Sequence, residues 1–249
     1  MSLPAPFRHE GAHLAIDLPG ARALFTTRRG GVSRGPYASL NLGIFTGDER
    51  ADVEVNRERL AELIGIPTER FAQGRQVHEA TVRRRREPPD PAERRRAPSD
   101  GQATDQTGLA PVVLVADCVP VALAGPEAVA MLHCGWRGLA AGIVAEGVAA
   151  LRELGADGAL AAAIGPGAGR CCYEVGEEVH AAFGDLGPEV RDGRRLDLKL
   201  VARRRLEAAG VAEIHDVDLC TMCSDPGLFF SHRRDRGETG RQAGVVWRS

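Results

Sequence analysis

The sequence predicts one domain of mixed α/β class, and three observations carry that expectation. A length of 249 residues with 43% apolar content is enough to bury a full core in a single domain. Continuous apolar runs, PVVLVAD at 111–117 and AVAML at 128–132, read as strands covered on both faces. Elsewhere the period changes: Leu139, Ile143, Val144, Val148 and Leu151 recur at helical spacing.

Each element follows from its local pattern. Ala23 to Thr27 (ALFTT) reads as a strand, and the RRGGVSRGPYASLNLG that follows is too rich in glycine, serine and proline to be regular. From Asp48 to Gly65, Val53, Val55, Leu60, Leu63 and Ile64 mark the apolar face of a helix that Gly65 and Pro67 stop. Phe71 to Val82 is a second extended segment, with Val77 and His78 near its middle. Residues 83–105 carry two arginine runs and four prolines with almost nothing apolar, which predicts an exposed loop. Glu87, Asp90 and Glu93 dilute its charge, so a solvated surface is favoured over a nucleic-acid arm.

Cys118 comes directly after PVVLVAD, Val119 to Leu123 continues inward, and His133 comes directly after AVAML. GWRGLAAGIVAEGVAALRELG predicts a helix ending at Gly155. Leu160 to Ile164 is a short strand, Glu174 to Phe183 and Leu196 to Ala209 are helices, and Gln242 to Trp247 is a terminal strand. No internal repeat is visible.

Composition narrows the function. With 32 basic and 34 acidic residues the net charge is −2, so no global field attracts nucleic acid or an anionic membrane. The N-terminus lacks the pattern of a secretory leader and no apolar stretch reaches spanning length, so a soluble, cytoplasmic protein with no membrane partner is expected. Six cysteines in such a chain are expected as thiols or metal ligands, not disulfides, and the vicinal Cys171 and Cys172 are not expected to pair.

His78, Cys118 and His133 together offer two imidazoles and a thiolate. Three protein ligands leave one tetrahedral position open, as a catalytic zinc requires. Nitrogen and sulfur donors suit zinc or copper and argue against magnesium or calcium. The separations, 118 − 78 = 40 and 133 − 118 = 15, are too long for a finger motif, so only the fold can unite them. The ordinary alternatives are a core thiol for Cys118 and a backbone-bonded strand histidine for His78. Asp117, beside Cys118, is a candidate proton shuttle.

Other motifs are weaker. Cys220 and Cys223 form CTMC, which opens a zinc ribbon only if a second CxxC exists; none does, so a packed turn is expected. Gly165, Gly167 and Gly169 follow a strand, but Arg170 occupies the fingerprint's third glycine, leaving either an anion-binding turn assisted by Arg170 or a plain tight turn. GWRG sets Arg137 at a helix start, where backbone N–H groups and a guanidinium suit an anion. SHRRDRGETGRQAG concentrates His232, Arg233, Arg234, Arg236 and Arg241, expected as a charged surface hairpin with phosphate handling as the alternative. The HxE and PCxxC elements of zinc nucleobase deaminases are absent.

TTRRGGVSRGPYASLNLG, QVHEATV, ADCVPVAL, HCGWRGLAAGI, CCYEVGEEV and DLCTMC with FFSHRRDRGETGRQAGVVW resemble, in order, the motifs of the YfiH-like family, long called the multicopper polyphenol oxidase or laccase domain. The resemblance spans nearly the whole chain. It implies a single domain of mixed β-sheets flanked by helices, of the cytotoxic necrotizing factor/YfiH-like type. It also implies a metal, usually zinc with copper as the other candidate, held by His78, Cys118 and His133. The implied activity is phosphorolysis of adenosine, inosine, guanosine and methylthioadenosine, with adenosine deamination beside it. Arg28 and Asn41, in the TR and SLNLG blocks, become candidates for binding phosphate or ribose. Cys134 stands where the family usually has alanine, next to a ligand. The rival readings are a copper phenol oxidase and a non-catalytic partner-binding domain; monomer or homo-oligomer is left open.

Overall fold

A computed structural model describes residues 2–249. The N-terminal part forms β1 (Arg8–Glu10), β2 (His13–Leu18) and β3 (Ala21–Phe25), a meander preceding α1 (Arg50–Ile64). Then come β4 (Phe71–Ala72), β5 (Val82–Arg84), α2 (Pro91–Arg96), β6 (Gly101–Thr104), β7 (Ala110–Val115), β8 (Val119–Ala124) and β9 (Val129–Cys134). Next are α3 (Trp136–Ala140), α4 (Ile143–Glu153), β10 (Ala161–Ile164) and α5 (Glu177–Ala181). The chain closes with β11 (Arg191–Asp192), β12 (Arg195–Leu196), α6 (Leu198–Ala208), β13 (Glu213–Asp216) and β14 (Gln242–Arg248).

Two six-stranded mixed sheets result, ordered β1-β2-β3-β14-β7-β4 and β13-β10-β8-β9-β6-β5. Antiparallel pairing dominates, with parallel pairs only at edges: β4 with β7, β13 with β10, and β5 with β6. The sheets face each other across a core that includes Leu14, Ile16, Phe25, Val113, Val115 and Val246 from the first. The second contributes small side chains, Ala122, Ala124, Ala161 and Ala163, with Met131. Its other face presents Val119, Val121, Leu123 and Leu132 to Leu139, Ile143, Val144 and Leu151 of α3 and α4 and to Val201 and Leu206 of α6. The first sheet's outer face buries Leu24, Val112 and Val245 against Leu60 and Ile64 of α1. Helices therefore cover both outer faces, which is why the central strands read as unbroken apolar runs. Among the described residues, no helix is long and apolar enough to cross a membrane.

Several expected elements change form. Phe71–Ala72 is the only strand in the first part of the segment expected to be extended, and His78 lies in a turn with φ 65° instead of mid-strand. The predicted helix after His133 is two helices, broken where Gly142 takes φ 92°. The loop expected over 83–105 is exposed only in part: it contains α2, and its end is β6, buried throughout. Three of its arginines are paired within the fold, Arg84 with Glu146 and Glu153, Arg85 with Glu93 and Arg86 with Asp105.

The irregular 28–43 stretch is fastened to α1 by one buried amide. Asn56 Nδ2 donates to Ser33 Oγ and to the carbonyls of Ser39 and Asn41, while its Oδ1 accepts from Val32 N. Asn56→Ala takes a partner from the Asn41 carbonyl, the Ser33 hydroxyl and Val32 N–H, while the Ser39 carbonyl keeps Ser33 N–H; each buried group left unpaired costs about 1–3 kcal/mol. We expect a loss of about 3 kcal/mol in total, read as a lower urea midpoint at unchanged slope; a shift under about 0.5 kcal/mol, the level of an ordinary surface change, would sink this account of the loop.

Candidate metal centre

The centre forms where the chain passes from one sheet to the other. Only residues 116–118 link β7 to β8, and so tight a passage puts Asp117 at φ 87°. A non-glycine residue there costs about 1–3 kcal/mol and needs its surroundings to hold it. They do: the Asp117 carbonyl accepts from Ala168 N at 2.7 Å, and its carboxylate accepts from Thr221 Oγ1 and Arg233 N, each at 2.7 Å. Cys118 is thereby delivered at the entrance of β8. With both oxygens engaged in fixing two loops, Asp117 is a positioning group here.

His133 arrives from β9, where it sits opposite Pro120 of β8, and Cys134 opposite Val119. Strand alternation sends the two side chains to opposite faces. Cys134 therefore packs among the helices, and burial, reinforced by Cys118 and Asp100, pushes its thiol far up, which makes it inert.

His78 is placed by Asp100, a fully buried carboxylate immediately before β6. Asp100 accepts from the backbone N–H groups of Val77, His78 and Glu79 at 2.9–3.2 Å, and from His133 Nδ1 at 2.8 Å. One side chain thus holds the left-handed turn of the first histidine and orients the ring of the second. Burial opposes ionisation of Asp100, but these hydrogen bonds, led by His133, hold its carboxyl below the usual range. With Nδ1 committed to Asp100, His133 presents Nε2 to the centre.

The donor atoms of His78, Cys118 and His133 all lie within 4.8 Å of one another. The imidazole rings meet edge to face at 4.8 Å between centroids. Burial disfavours the Cys118 thiolate, yet the His133 charge and hydrogen bonds from both histidines bring the thiol down to about 6. Burial likewise opposes His133, but Cys118 and Asp100 raise it to about 9. A thiolate beside two imidazoles, one braced by an outer carboxylate, is the donor chemistry of a borderline-soft divalent ion. The neighbourhood is tight: a Cβ on Gly135 would stand 3.0 Å from Cys118 Sγ and 3.1 Å from His78 Cδ2, so a larger residue would press on both ligands.

The centre opens into a cavity of about 730 Å³ that both sheets line, through Leu114 and Val115 of β7 and His133 of β9. Four guanidinium groups, of Arg75, Arg137, Arg233 and Arg241, border it together with Tyr173 and His232. Arg137 lies 4.4 Å over the Trp136 ring and Arg233 lies 5.1 Å over Tyr173. Ile44 and Phe45 form an apolar rim, with Phe45 73% exposed.

Of the sequence-derived site residues, His78, Cys118, His133 and Arg137 come together. Arg28, Asn41 and Arg170 do not. Arg28 is consumed as a clamp, donating to the carbonyls of Ala38, Pro226 and Pro36 over the Phe230 ring. Asn41 is fully buried and saturated, donating to Thr46 and Asp48 and accepting from the N–H groups of Gly43 and Arg241. Arg170 borders a separate hollow beside Cys171 and Cys223. The glycine turn before it is no anion cradle either, since Gly165, Gly167, Ala168 and Gly169 give their N–H groups to Pro120, Leu219, Asp117 and the Cys220 sulfur. With only five residues, α3 likewise has little dipole to offer. Conversely, His232, Arg233 and Arg241 belong to the cavity and not to a surface hairpin. Asp100, Arg75 and Tyr173 carried no sequence signal that separated them from their neighbours.

Comparison with known proteins gives the family and the fold. The model of the family described as multi-copper polyphenol oxidoreductase laccase matches residues 22–249. The chain is 41% identical to the purine nucleoside phosphorylase YlmD of Geobacillus stearothermophilus, covering 94% of this chain and 92% of that protein. It is 42% identical to a purine nucleoside phosphorylase of Corynebacterium glutamicum, covering 91% and 94%. The fold superimposes on the crystal structure of YfiH from Bacillus licheniformis with a TM-score of 0.89 at 33% identity, covering 99% and 100%. YlmD from Geobacillus stearothermophilus superimposes with a TM-score of 0.87 at 38% identity, covering 98% and 99%.

Proposed function

Because the chain belongs to the multi-copper polyphenol oxidoreductase laccase family, whose relatives at 41–42% identity carry the name purine nucleoside phosphorylase, we propose that it cleaves purine nucleosides with phosphate. The substrates are adenosine, inosine, guanosine and methylthioadenosine, with deamination of adenosine as a second activity. The observation that carries this reading is the set of four arginines around a cavity whose floor holds His78, Cys118 and His133. Its volume lies within the roughly 300–1,000 Å³ typical of small-ligand sites.

His78, Cys118 and His133 would hold zinc, which would supply Lewis acidity and a lowered pKa for a water at the reacting centre. The remaining work falls to the chain itself. Phosphorolysis needs a phosphate oxygen placed against C1′ of the ribose while the bond from C1′ to the base breaks. Arg137 and Arg233, stacked over Trp136 and Tyr173, bind phosphate, Arg233 through the N–H donors left after Nη1 donates to the Glu174 carbonyl. Asp117 keeps the Arg233 segment in place by accepting its N–H, and Phe45 offers an aromatic face to the base. The cationic wall also offsets charge on the phosphate as it attacks.

Arg137→Ala should raise KM for phosphate about 10- to 100-fold, the equivalent of one charged hydrogen-bonding group, and leave phosphate-independent deamination nearly unchanged. Equal losses in both activities would show that Arg137 serves something other than phosphate.

The reading as a whole is tested with zinc-loaded protein and adenosine. Adenine and ribose 1-phosphate are expected only when phosphate is present, and inosine in its absence. If neither product forms, the proposal fails. Copper-loaded protein with a phenol and an oxygen electrode is the parallel arm, and no uptake is expected. Among the described residues one donor cluster contains histidine, whereas multicopper oxidation draws on several such sites.

A further inference from the structure

A second set of metal donors lies outside the candidate centre. The turn after β10 presents Cys171 and Cys172, and the loop after β13 presents Cys220 and Cys223. The four sulfur atoms all lie within 4.8 Å of one another. Cys171 Sγ is 3.0 Å from Cys223 Sγ and 3.5 Å from Cys172 Sγ, and Cys172 Sγ is 3.4 Å from Cys220 Sγ. Sulfurs bound at about 2.3 Å around one tetrahedral centre stand about 3.8 Å apart, so small adjustments make this group a tetrahedron. The second pair that CTMC needs is therefore the vicinal pair, not another CxxC, and the packed turn expected from sequence is one half of a four-cysteine cluster.

The backbone around the cluster favours thiolate. Cys220 Sγ accepts from Gly169 N at 3.2 Å and also faces the N–H groups of Met222 and Cys223, donors that a neutral thiol does not require. The backbone approaches closely here: a Cβ at Gly169 would stand 3.1 Å from Cys220 Cβ and 3.2 Å from Cys171 Sγ. Burial opposes ionisation of Cys220, but these N–H groups and Cys172 bring it to about 7. Its neighbours respond in the opposite sense: burial and Cys220 push Cys172 far up, and a hydrogen bond with Cys171, with burial next, pushes Cys223 to about 12. With four sulfurs this close together, a central cation would stabilise them all as thiolates at once.

We propose that Cys171, Cys172, Cys220 and Cys223 form a closed structural site for one zinc ion. All four positions are protein sulfur, so the site has no place for substrate and its role is to join two loops. Those loops are the ones that hold Asp117: Ala168 of the first donates to its carbonyl and Thr221 of the second to its carboxylate. Tyr173, next to the vicinal pair, borders the cavity. The zinc thus fastens the rear of the candidate centre. The inference does not depend on the purine reading.

The test separates the two metal sites with Cys118→Ala. Reduced C118A protein, loaded with zinc and dialysed, should retain one equivalent per chain by elemental analysis, and C118A combined with C220S and C223S should retain none. Cobalt(II) added to reduced C118A should saturate at one equivalent, with the sulfur-to-cobalt charge-transfer bands and intense visible bands of a tetrahedral thiolate site. That titration needs no cysteine of the cluster altered, so it stands even if the triple variant does not fold. Failure of reduced C118A to take up either metal overturns the proposal. So does finding Cys171–Cys223 and Cys172–Cys220 disulfides in protein isolated without reductant, if no metal binds after reduction.

Discussion

Cys118→Ala should release the metal from the candidate centre and abolish phosphorolysis and deamination together. Losing a partner that only orients a ligand costs about 10- to 100-fold in affinity or activity, so losing the sole anionic ligand should cost more than about 100-fold. Cys118 is the group that brings negative charge to the centre: its thiol is drawn down to about 6 beside His133. Alanine leaves two imidazoles and no charge to offset a divalent cation. The side chain is small and sits at a strand entrance, so the fold should survive and far-ultraviolet circular dichroism should not change. Elemental analysis should show one equivalent fewer per chain than wild type. Full phosphorolysis in a variant that has lost that equivalent would separate the metal from the glycosidic step and break the single-centre account.

Asp100→Asn should weaken metal binding about 10- to 100-fold while every ligand stays in the sequence. The carboxylate accepts from three consecutive backbone N–H groups and from His133 Nδ1, and it has no protons of its own to present. An amide of the same size must turn one NH2 group towards donors, leaving a buried N–H or the imidazole unpaired at a cost of about 1–3 kcal/mol. The variant should also change the acid limb of stability. Because the native Asp100 carboxyl lies below its ordinary value of 3.8, its contribution is fully present above that value and lost as pH falls through the native one. The substituted amide cannot titrate, so the loss of stability as pH falls below the ordinary carboxyl value of 3.8 should be shallower than in wild type. Unchanged metal affinity would mean that the two histidines are oriented by something other than Asp100.

How much of this is legible in the sequence depends on how locally each feature is encoded. The buried strands β7, β8 and β9 announce themselves as apolar runs, and α1 and α6 by helical periodicity, because burial on a fixed face is written into nearby residues. The three candidate ligands can be named from strand ends and family blocks. Asp100 cannot: it lies in SDGQAT at the end of an arginine- and proline-rich stretch, and its partners at 77–79 and 133 are distant in the chain. Arg28 and Asn41 mislead for the converse reason. Both stand in blocks of the family pattern, yet the fold spends Arg28 on the carbonyls of Ala38, Pro36 and Pro226, and Asn41 on Thr46, Asp48, Gly43 and Arg241. His78 reads as a strand residue because its segment looks extended, while three N–H bonds to one carboxylate turn it into a left-handed corner.

The alanines between the sheets bear on how such a protein could change what it accepts. Sheets ordinarily stack about 10 Å apart, and their spacing follows the bulk of the side chains between them. The cavity borrows one wall from each sheet, Leu114 and Val115 from β7 and His133 from β9. The bulk at Ala122, Ala124, Ala161 and Ala163 therefore bears on how far apart these two walls stand. Larger side chains at these positions should alter the cavity without touching the centre's donors.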